Sequence, residues 1–223
     1  MFLSNELRDQ YRSAVQEHIN EFSIYRTTGE ERLPGKKPGS RYKWQFYMSR
    51  TTCNKWMNYF ISCLLLDLIY EEYQKQPFQL GALESDGVPI ALGMAQASIN
   101  IPGIENLNFF KIRKQPKEYG LMNTIEGIPS LDLPVLFVDD IVSSKNTSYN
   151  AYKALKYEGF EIVPFVTSVI NKTGTEMKTE VDMMTKEDIF KRNGIDMDVK
   201  SIFNLNDFEF MDKEFDHFGR QGE

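Results

Sequence analysis

Two adjacent carboxylates, Asp139 and Asp140, end an apolar run and are followed closely by the hydroxyls of Ser143, Ser144 and Thr147. Paired carboxylates at a strand end accept hydrogen bonds from vicinal hydroxyls or help to hold a divalent cation. Small hydroxyl residues that open a helix offer backbone N–H groups and a helix N-terminus to a phosphate. Together they suit a molecule with a diol and a phosphate a few ångströms apart, such as a ribose 5-phosphate. The plainer alternative is a strand that ends at two acids, followed by a serine turn.

Two further loops carry related chemistry. Lys111-Ile-Arg-Lys-Gln-Pro-Lys117 is the densest basic segment of a chain whose net charge is -6. Cations in that density meet a multiply anionic ligand, the competing reading being a solvated loop. Glu84-Ser-Asp-Gly87 turns from a strand into a helix, and Gly87 allows a close backbone approach; a plain turn would also account for it. The sequence has no Walker loop, no Gly-x-Gly-x-x-Gly and no paired zinc-ligand spacing. His18 and His217 lie far from these loops in sequence and read as having no catalytic role.

Bringing three such loops together requires a sheet. The run Pro134 to Val138 is too short for a buried helix and suits a strand covered on both faces, as in a parallel sheet. A helix from about Ser148 to Tyr157 follows it. Phe78 to Leu83, Leu107 to Ile112, Glu161 to Ile170 and Ser201 to Phe203 read as further strands, with a helix near Pro89 to Ala97 and a long loop from Arg113 to Gly127. Thr185 is placed to cap a helix to Arg192 with Asp188 as its capping-box partner, and a terminal helix is expected from Asn206 to about Phe215. Strands alternating with helices predict an α/β fold, a doubly wound, largely parallel central sheet flanked by helices. Ligands bind such sheets at the carboxyl ends of the strands.

Ahead of this core, Ser4 caps a helix whose Leu7, Tyr11, Val15, Ile19 and Phe22 form one apolar stripe. Thr27 to Arg41 reads as an exposed loop, Tyr42 to Met48 as a strand, and Asn54 to Tyr73 as a long helix. Residues 1–50 are expected to form a small N-terminal cap on a core spanning 78–208, the whole 223 residues making one domain. The acidic balance argues against a nucleic-acid partner. Tyr59 to Tyr70 is too short to span a bilayer and contains Asp67, and the N-terminus lacks the pattern of a signal peptide. Cys53 and Cys63 read as buried thiols in a reducing compartment. A cytoplasmic protein without membrane contact is the expectation.

The three loops resemble those of the type I phosphoribosyltransferases, and among them the orotate phosphoribosyltransferase family. Val138-Asp-Asp-Ile-Val-Ser-Ser-Lys-Asn-Thr147 is similar to the family signature for 5-phosphoribosyl 1-diphosphate. Arg113-Lys-Gln-Pro-Lys-Glu-Tyr-Gly120 with Ile125-Glu-Gly127 resembles the catalytic loop, and Gly81 to Ile90 the pyrophosphate loop. Order and spacing agree over roughly Phe78 to Asn171, with weaker likeness in Phe46 to Arg50 and Ile202 to Phe208. The resemblance implies transfer of a phosphoribosyl group to a nucleobase, orotate first, with Mg2+ carried mainly on the diphosphate rather than by a direct protein site.

It also implies roles for individual residues. Asp139 and Asp140 would hold the ribose hydroxyls and stabilise positive charge on the sugar. Ile141, Val142, Ser143, Ser144, Lys145, Asn146 and Thr147 would form the 5-phosphate loop, and Glu84, Ser85, Asp86 and Gly87 the pyrophosphate loop. Arg113, Lys114, Lys117 and Tyr119 would serve the departing pyrophosphate, in this family from the neighbouring subunit of a homodimer. Lys172 aligns with the residues that grip orotate. The chain departs from the family at four of these positions. Lys145 replaces the first glycine of the phosphate loop, so its side chain either obstructs the backbone or brings an ammonium to the phosphate. Tyr119 replaces a histidine, Asp86 stands where a cation or glycine is usual, and Lys172 keeps a charge without the bidentate fork of arginine. These departures leave a second reading open: a protein of the same fold that binds the donor, or a nucleotide, as a regulator. A third, a receiver-like phosphoacceptor, leaves the basic loop unexplained.

Overall fold

The computed structural model of the chain describes residues 2–27, 33–34, 41–42, 44–114, 124–173 and 188–208. Helix α1 (Asn5–His18) starts at Ser4, whose hydroxyl accepts the Leu7 N–H, and runs on into a π-helical turn, Ile19–Ser23. Two short ribbons follow, β1 (Ile24–Arg26) with β4 (Trp44–Phe46) and β2 (Leu33–Pro34) with β3 (Arg41–Tyr42), both antiparallel. After the turn α2 (Ser49–Thr52), the carboxamide of Asn54 accepts the N–H groups of Trp56 and Met57 and opens α3 (Lys55–Lys75). The remainder alternates β5 (Gln79–Leu83), α4 (Gly87–Ser98), β6 (Phe109–Ile112), β7 (Ile125–Glu126), β8 (Val135–Val142), α5 (Asn146–Tyr157), β9 (Ile162–Asn171), α6 (Ile189–Arg192) and β10 (Asp198–Asn204).

Among the described residues these last strands form one six-stranded sheet in the order β10-β9-β8-β5-β6-β7, parallel throughout except for β7. From β5 the chain winds outward to β6 and then returns past β5 to β8. The winding therefore reverses between β5 and β8, the place where sheets of this kind open a crevice beyond the carboxyl ends of their strands.

Strand β8 explains why this sheet is two-sided. Leu136 and Val138 lie in a core shared with α1, α3 and α4, whereas Val135 and Phe137 face a second core under α5. All four are fully buried, so alternation by face appears in sequence as an unbroken apolar run. Val15 of α1 and Ile19 of the π-helical turn join the same cluster as Leu65 and Ile69 of α3.

Some boundaries differ from the sequence expectation. The apolar run stops at Asp139 but the ladder does not, for Ile141 still pairs with Ile170 and Val142 with Asn171. Backbone pairing is indifferent to the change in side chain. The expected loop from Arg113 to Gly127 contains β7, two residues too few to show an alternation, which pairs with Lys111 and Ile112 of β6. Strand β10 starts at Asp198, earlier than Ser201, because the first half of this edge strand is polar. Helix α6 is a single turn capped by Asp188 itself, whose carboxylate accepts the Phe190 N–H at 3.0 Å; Thr185 lies outside the described residues. Likewise the expected terminal helix is described only as the turn Leu205–Asp207. Cys53 is exposed rather than buried. No helix among the described residues is long and apolar enough to cross a membrane.

Asp67, the one acid inside the apolar stretch of α3, has a structural explanation. Its carboxylate accepts the N–H groups of Phe2 and Leu3 at 2.7 and 3.0 Å and pairs with Arg8 at 2.8 Å, fastening the N-terminal segment to α3. Charge-assisted hydrogen bonds of this kind are individually worth ~1.5–3 kcal/mol. Asp67→Ala is expected to lower unfolding free energy by about 2 kcal/mol, read from the urea midpoint at unchanged m-value. A midpoint equal to that of the native chain would show that this anchor carries no stability.

Candidate functional site

The two acids of β8, Asp139 and Asp140, are half-buried in the C-terminal half of the strand. Asp139 accepts the Asp140 N–H at 3.0 Å and Asp140 accepts the Ile141 N–H at 2.8 Å, so the backbone holds both carboxylates in place. Burial pushes the Asp139 carboxyl well above the usual aspartate range. The charge of Asp140 and a hydrogen bond between the two add to this, and the Lys114 ammonium pulls back. Asp140 is also raised, first by burial and then by the charge of Asp86. Negative charge thus acts from Asp86 on Asp140 and from Asp140 on Asp139, and the Lys114 ammonium offsets part of it.

Asp86 arrives there on the β5–α4 loop. Gly87 is required by a close approach: a Cβ at this position would lie 2.3 Å from the Val138 carbonyl oxygen and 3.4 Å from Asp139 Cα. The loop therefore rests directly on the last residue before the acidic pair. Its Ser85 is exposed, and the Glu84–Ser85 peptide is cis. Glu84 faces the other way, toward β6. One carboxylate oxygen accepts the Lys114 N–H at 3.2 Å, and the other lies 3.7 Å from Arg113 Nη1. The Arg113 guanidinium also meets Glu126 of β7 at 3.2 Å, and Lys111 pairs with the same glutamate. The root of the basic segment is thus stitched to two glutamates. Lys117 and Tyr119 lie outside the described residues.

After β8 the chain turns through exposed Ser143 and Ser144 into α5, with Asn146 Nδ2 donating to Ser144 Oγ at 3.1 Å and Thr147 half-buried. Lys145 has φ +55°, the left-handed conformation natural to glycine. Its side chain neither obstructs the loop nor extends along it. The ammonium donates to Asp188 Oδ2 at 2.6 Å and to the Met197 carbonyl, and only 8% of the side chain is exposed. A phosphate contact from this ammonium is therefore not what the structure contains. Ile141 and Val142 enter this turn with their side chains directed into the fold. Ile141 packs on the larger core, Val142 is buried in the smaller one, and the Val142 carbonyl accepts the Lys172 N–H at 2.7 Å. They shape the loop's entry from inside the fold.

That last bond places Lys172 beside the same crevice. Its ammonium lies 5.4 Å from the ring centre of Trp44 and 5.8 Å from that of Phe46, within cation–π range. Phe46 in turn meets Phe208 edge to face at 5.6 Å. From sequence, Trp44 is marked only by the aromatic density of 42–48, Glu126 and Phe208 only as members of stretches with family likeness, and Asp188 only as a capping-box partner. Their contacts with Lys172, Arg113, Phe46 and Lys145 come from long-range folding.

No family model matches the chain. The orotate phosphoribosyltransferase of Bradyrhizobium diazoefficiens is 33% identical over 116 residues, covering 50% of this chain and 61% of that protein. The chain thus spans about three-fifths of the length of the first curated relatives it matches. Among solved structures, a phosphoribosyltransferase from Corynebacterium diphtheriae superposes with a TM-score of 0.63 at 22% identity, covering 89% of this chain and 98% of that one. Orotate phosphoribosyltransferase of Mycobacterium tuberculosis in complex with 5-phospho-alpha-D-ribosyl 1-diphosphate superposes with a TM-score of 0.58 at 16% identity, over 92% of this chain and 93% of that one. The fold is that of the type I phosphoribosyltransferases. Within that class, the proteins to which this chain is similar in sequence are the orotate phosphoribosyltransferases.

The strained acids give a testable consequence. A carboxyl whose folded pKa is raised binds its proton more tightly in the native than in the unfolded state. Stability then falls as pH rises from the unfolded value through the folded one. Asp139→Asn removes this penalty. The ligand-free variant is expected to melt higher than the native chain at neutral pH, by ~2–4 °C for each kcal/mol relieved, and to lose less stability between acid and neutral pH. A lower melting temperature at pH 7 would refute the strained-acid account.

Proposed function

We propose that the chain transfers a 5-phosphoribosyl group from 5-phosphoribosyl 1-diphosphate to a nucleobase, orotate in the first instance, and releases pyrophosphate. The observation that carries this reading is the meeting of the β5–α4 loop with the acidic pair of β8 beside the reversal of strand order, Gly87 seated on Val138 next to Asp139 and Asp140. Similarity to orotate phosphoribosyltransferases supports it, as does the donor bound to the Mycobacterium tuberculosis protein.

In this reading the hydroxyls of Ser143, Ser144 and Thr147 and the N–H groups opening α5 bind the 5-phosphate. Asp139 and Asp140 accept the ribose hydroxyls. As the bond from the anomeric carbon to the diphosphate breaks and the bond to the base nitrogen forms, the sugar passes through an oxocarbenium-like state. The two carboxylates, costly when the site is empty, are best compensated at that moment, which favours the transition state over the ground state. Arg113, Lys114 and Lys117 neutralise the leaving diphosphate, with Tyr119 beside them. Homodimerisation would allow this loop to act on the neighbouring subunit. The base would lie between the strand ends and the rings of Trp44 and Phe46, with Lys172 facing its negative charge.

The donor set fits Mg2+ in part. Asp86 and Asp140 supply hard oxygen ligands of uncompensated charge. Among the described residues no group of three acidic, histidine or cysteine side chains converges as a metal site, so donor oxygens would complete the coordination. When bound, the ion offsets charge on the diphosphate. The free cysteines support work in a reducing compartment such as the cytoplasm.

Asp86 favours a second reading, a donor sensor without turnover, because a like charge faces the site of the diphosphate. Pyrophosphate release with donor, Mg2+ and a panel of orotate, uracil and purine bases distinguishes the two. Release with orotate is expected; donor binding without release from any base would establish the sensor instead. Lys117→Ala is expected to lower kcat on the order of 10²-fold with little change in KM for the donor. Unchanged turnover in that variant would remove Lys117 from catalysis.

A further inference from the structure

We infer that Lys145 is a positioning residue: it anchors the phosphate loop in its binding shape before any ligand arrives, and thereby raises affinity for the 5-phosphorylated ribose. This rests on the phosphate-loop assignment proposed above. The left-handed conformation at Lys145 is unfavourable for any residue with a Cβ and persists only where the surroundings enforce it. Here the side chain itself supplies the enforcement. It is buried and ends on Asp188 and the Met197 carbonyl.

The anchor point is itself fixed. Asp188 caps α6 through the Phe190 N–H, and Phe190 is fully buried against Tyr149 and Tyr152 of α5, ring centres 5.2 and 5.6 Å away. The Lys145 carbonyl accepts the Tyr149 N–H at 2.9 Å, the first bond of α5. Loop and helix are therefore clamped to the 188–197 segment at two places, by an ion pair at the loop and by ring packing farther along the helix. The neighbouring side chains Ser143, Ser144 and Asn146 are exposed, so they cannot hold the loop's shape by packing.

A glycine at position 145 would adopt the same φ with no anchor, and the phosphate would have to order the loop on binding. Lysine moves that ordering cost from binding to folding. Preorganisation acts mainly by removing such an entropic cost, ~0.5–1.5 kcal/mol for each group no longer immobilised by the ligand, which corresponds to about 2–10-fold in affinity.

Calorimetric titration of the full chain with ribose 5-phosphate and, separately, with pyrophosphate tests this without requiring turnover. Lys145→Gly keeps the backbone conformation and deletes the anchor. It is expected to bind ribose 5-phosphate about 2–10-fold more weakly through a less favourable entropy, while pyrophosphate binding stays within twofold. Asp188→Asn, which leaves Lys145 and the loop sequence intact, is expected to weaken ribose 5-phosphate binding in the same direction. The double variant should be no weaker than Lys145→Gly, since both changes break one link. Equal or tighter ribose 5-phosphate binding in Lys145→Gly, or in Asp188→Asn should the first fail to fold, would overturn the inference alone. Equal weakening of both ligands would also overturn it, marking Lys145 as a general structural prop. Failure of the native chain to bind ribose 5-phosphate would overturn the phosphate-loop assignment and this inference with it.

Discussion

The structure depends on keeping two carboxylates side by side where water is scarce. Asp139 and Asp140 are raised in pKa first by burial and then by neighbouring negative charge, so the native state bears a cost at neutral pH that the unfolded chain does not. The fold offsets it elsewhere. Leu136 and Val138 are buried against one helical layer, Val135 and Phe137 against the other, and the ladder to β9 continues past the acids to Val142. A strand with only one packed face would offer half that anchoring, and its end would be free to move and hydrate. The two-sided sheet is thus what makes a strained acidic pair affordable, and the reversal of strand order beside it is what leaves room for a ligand.

The sheet could be read from sequence because its determinants are local. A short apolar run, a glycine after a strand and hydroxyls before a helix are each set by neighbouring residues and by two simple periods. Strand β8, the helices after β5 and β8, the place of the acidic pair and the hydroxyl-rich turn into α5 are accordingly legible, as is the resemblance they carry. What could not be read was the destination of long side chains. Nothing near Lys145 indicates that its ammonium ends on Asp188, which lies 43 residues away in sequence. In the same way Val142 is recognisable as part of the loop motif, yet only its packing in the folded chain shows that it points into the core. Trp44, Lys172 and Phe208 come from three distant segments, and no local pattern joins them. The two-residue strand β7 was too short to stand out from the loop around it.

Charge accounting links the loops. Around the crevice the described acids are Glu84, Asp86, Glu126, Asp139 and Asp140, and the described cations are Lys111, Arg113, Lys114 and Lys172. The bond from Lys114 to Glu84 comes from the backbone N–H, and its ammonium acts on Asp139 instead. Two of the cations are held by acids: Glu126 holds Lys111 and Arg113, and Glu84 stands close to Arg113. These pairs are about three-quarters screened from solvent, and exposed or partly exposed ion pairs are typically worth ~0–1 kcal/mol. A diphosphate could therefore take over Lys111 and Arg113 at small cost, but there it would exchange partners rather than gain them. On the proposed reaction, attraction beyond that of Lys114 and Lys172 has a second source. It is the positive demand of Asp86, Asp139 and Asp140, met only in part by Lys114: it favours a donor that arrives with a divalent cation, and it is met again when the sugar becomes cationic. Acid excess at this site thus weakens binding of a bare anion while strengthening the step in which positive charge appears. That is the arrangement expected where binding energy is directed to the transition state rather than to the ground state.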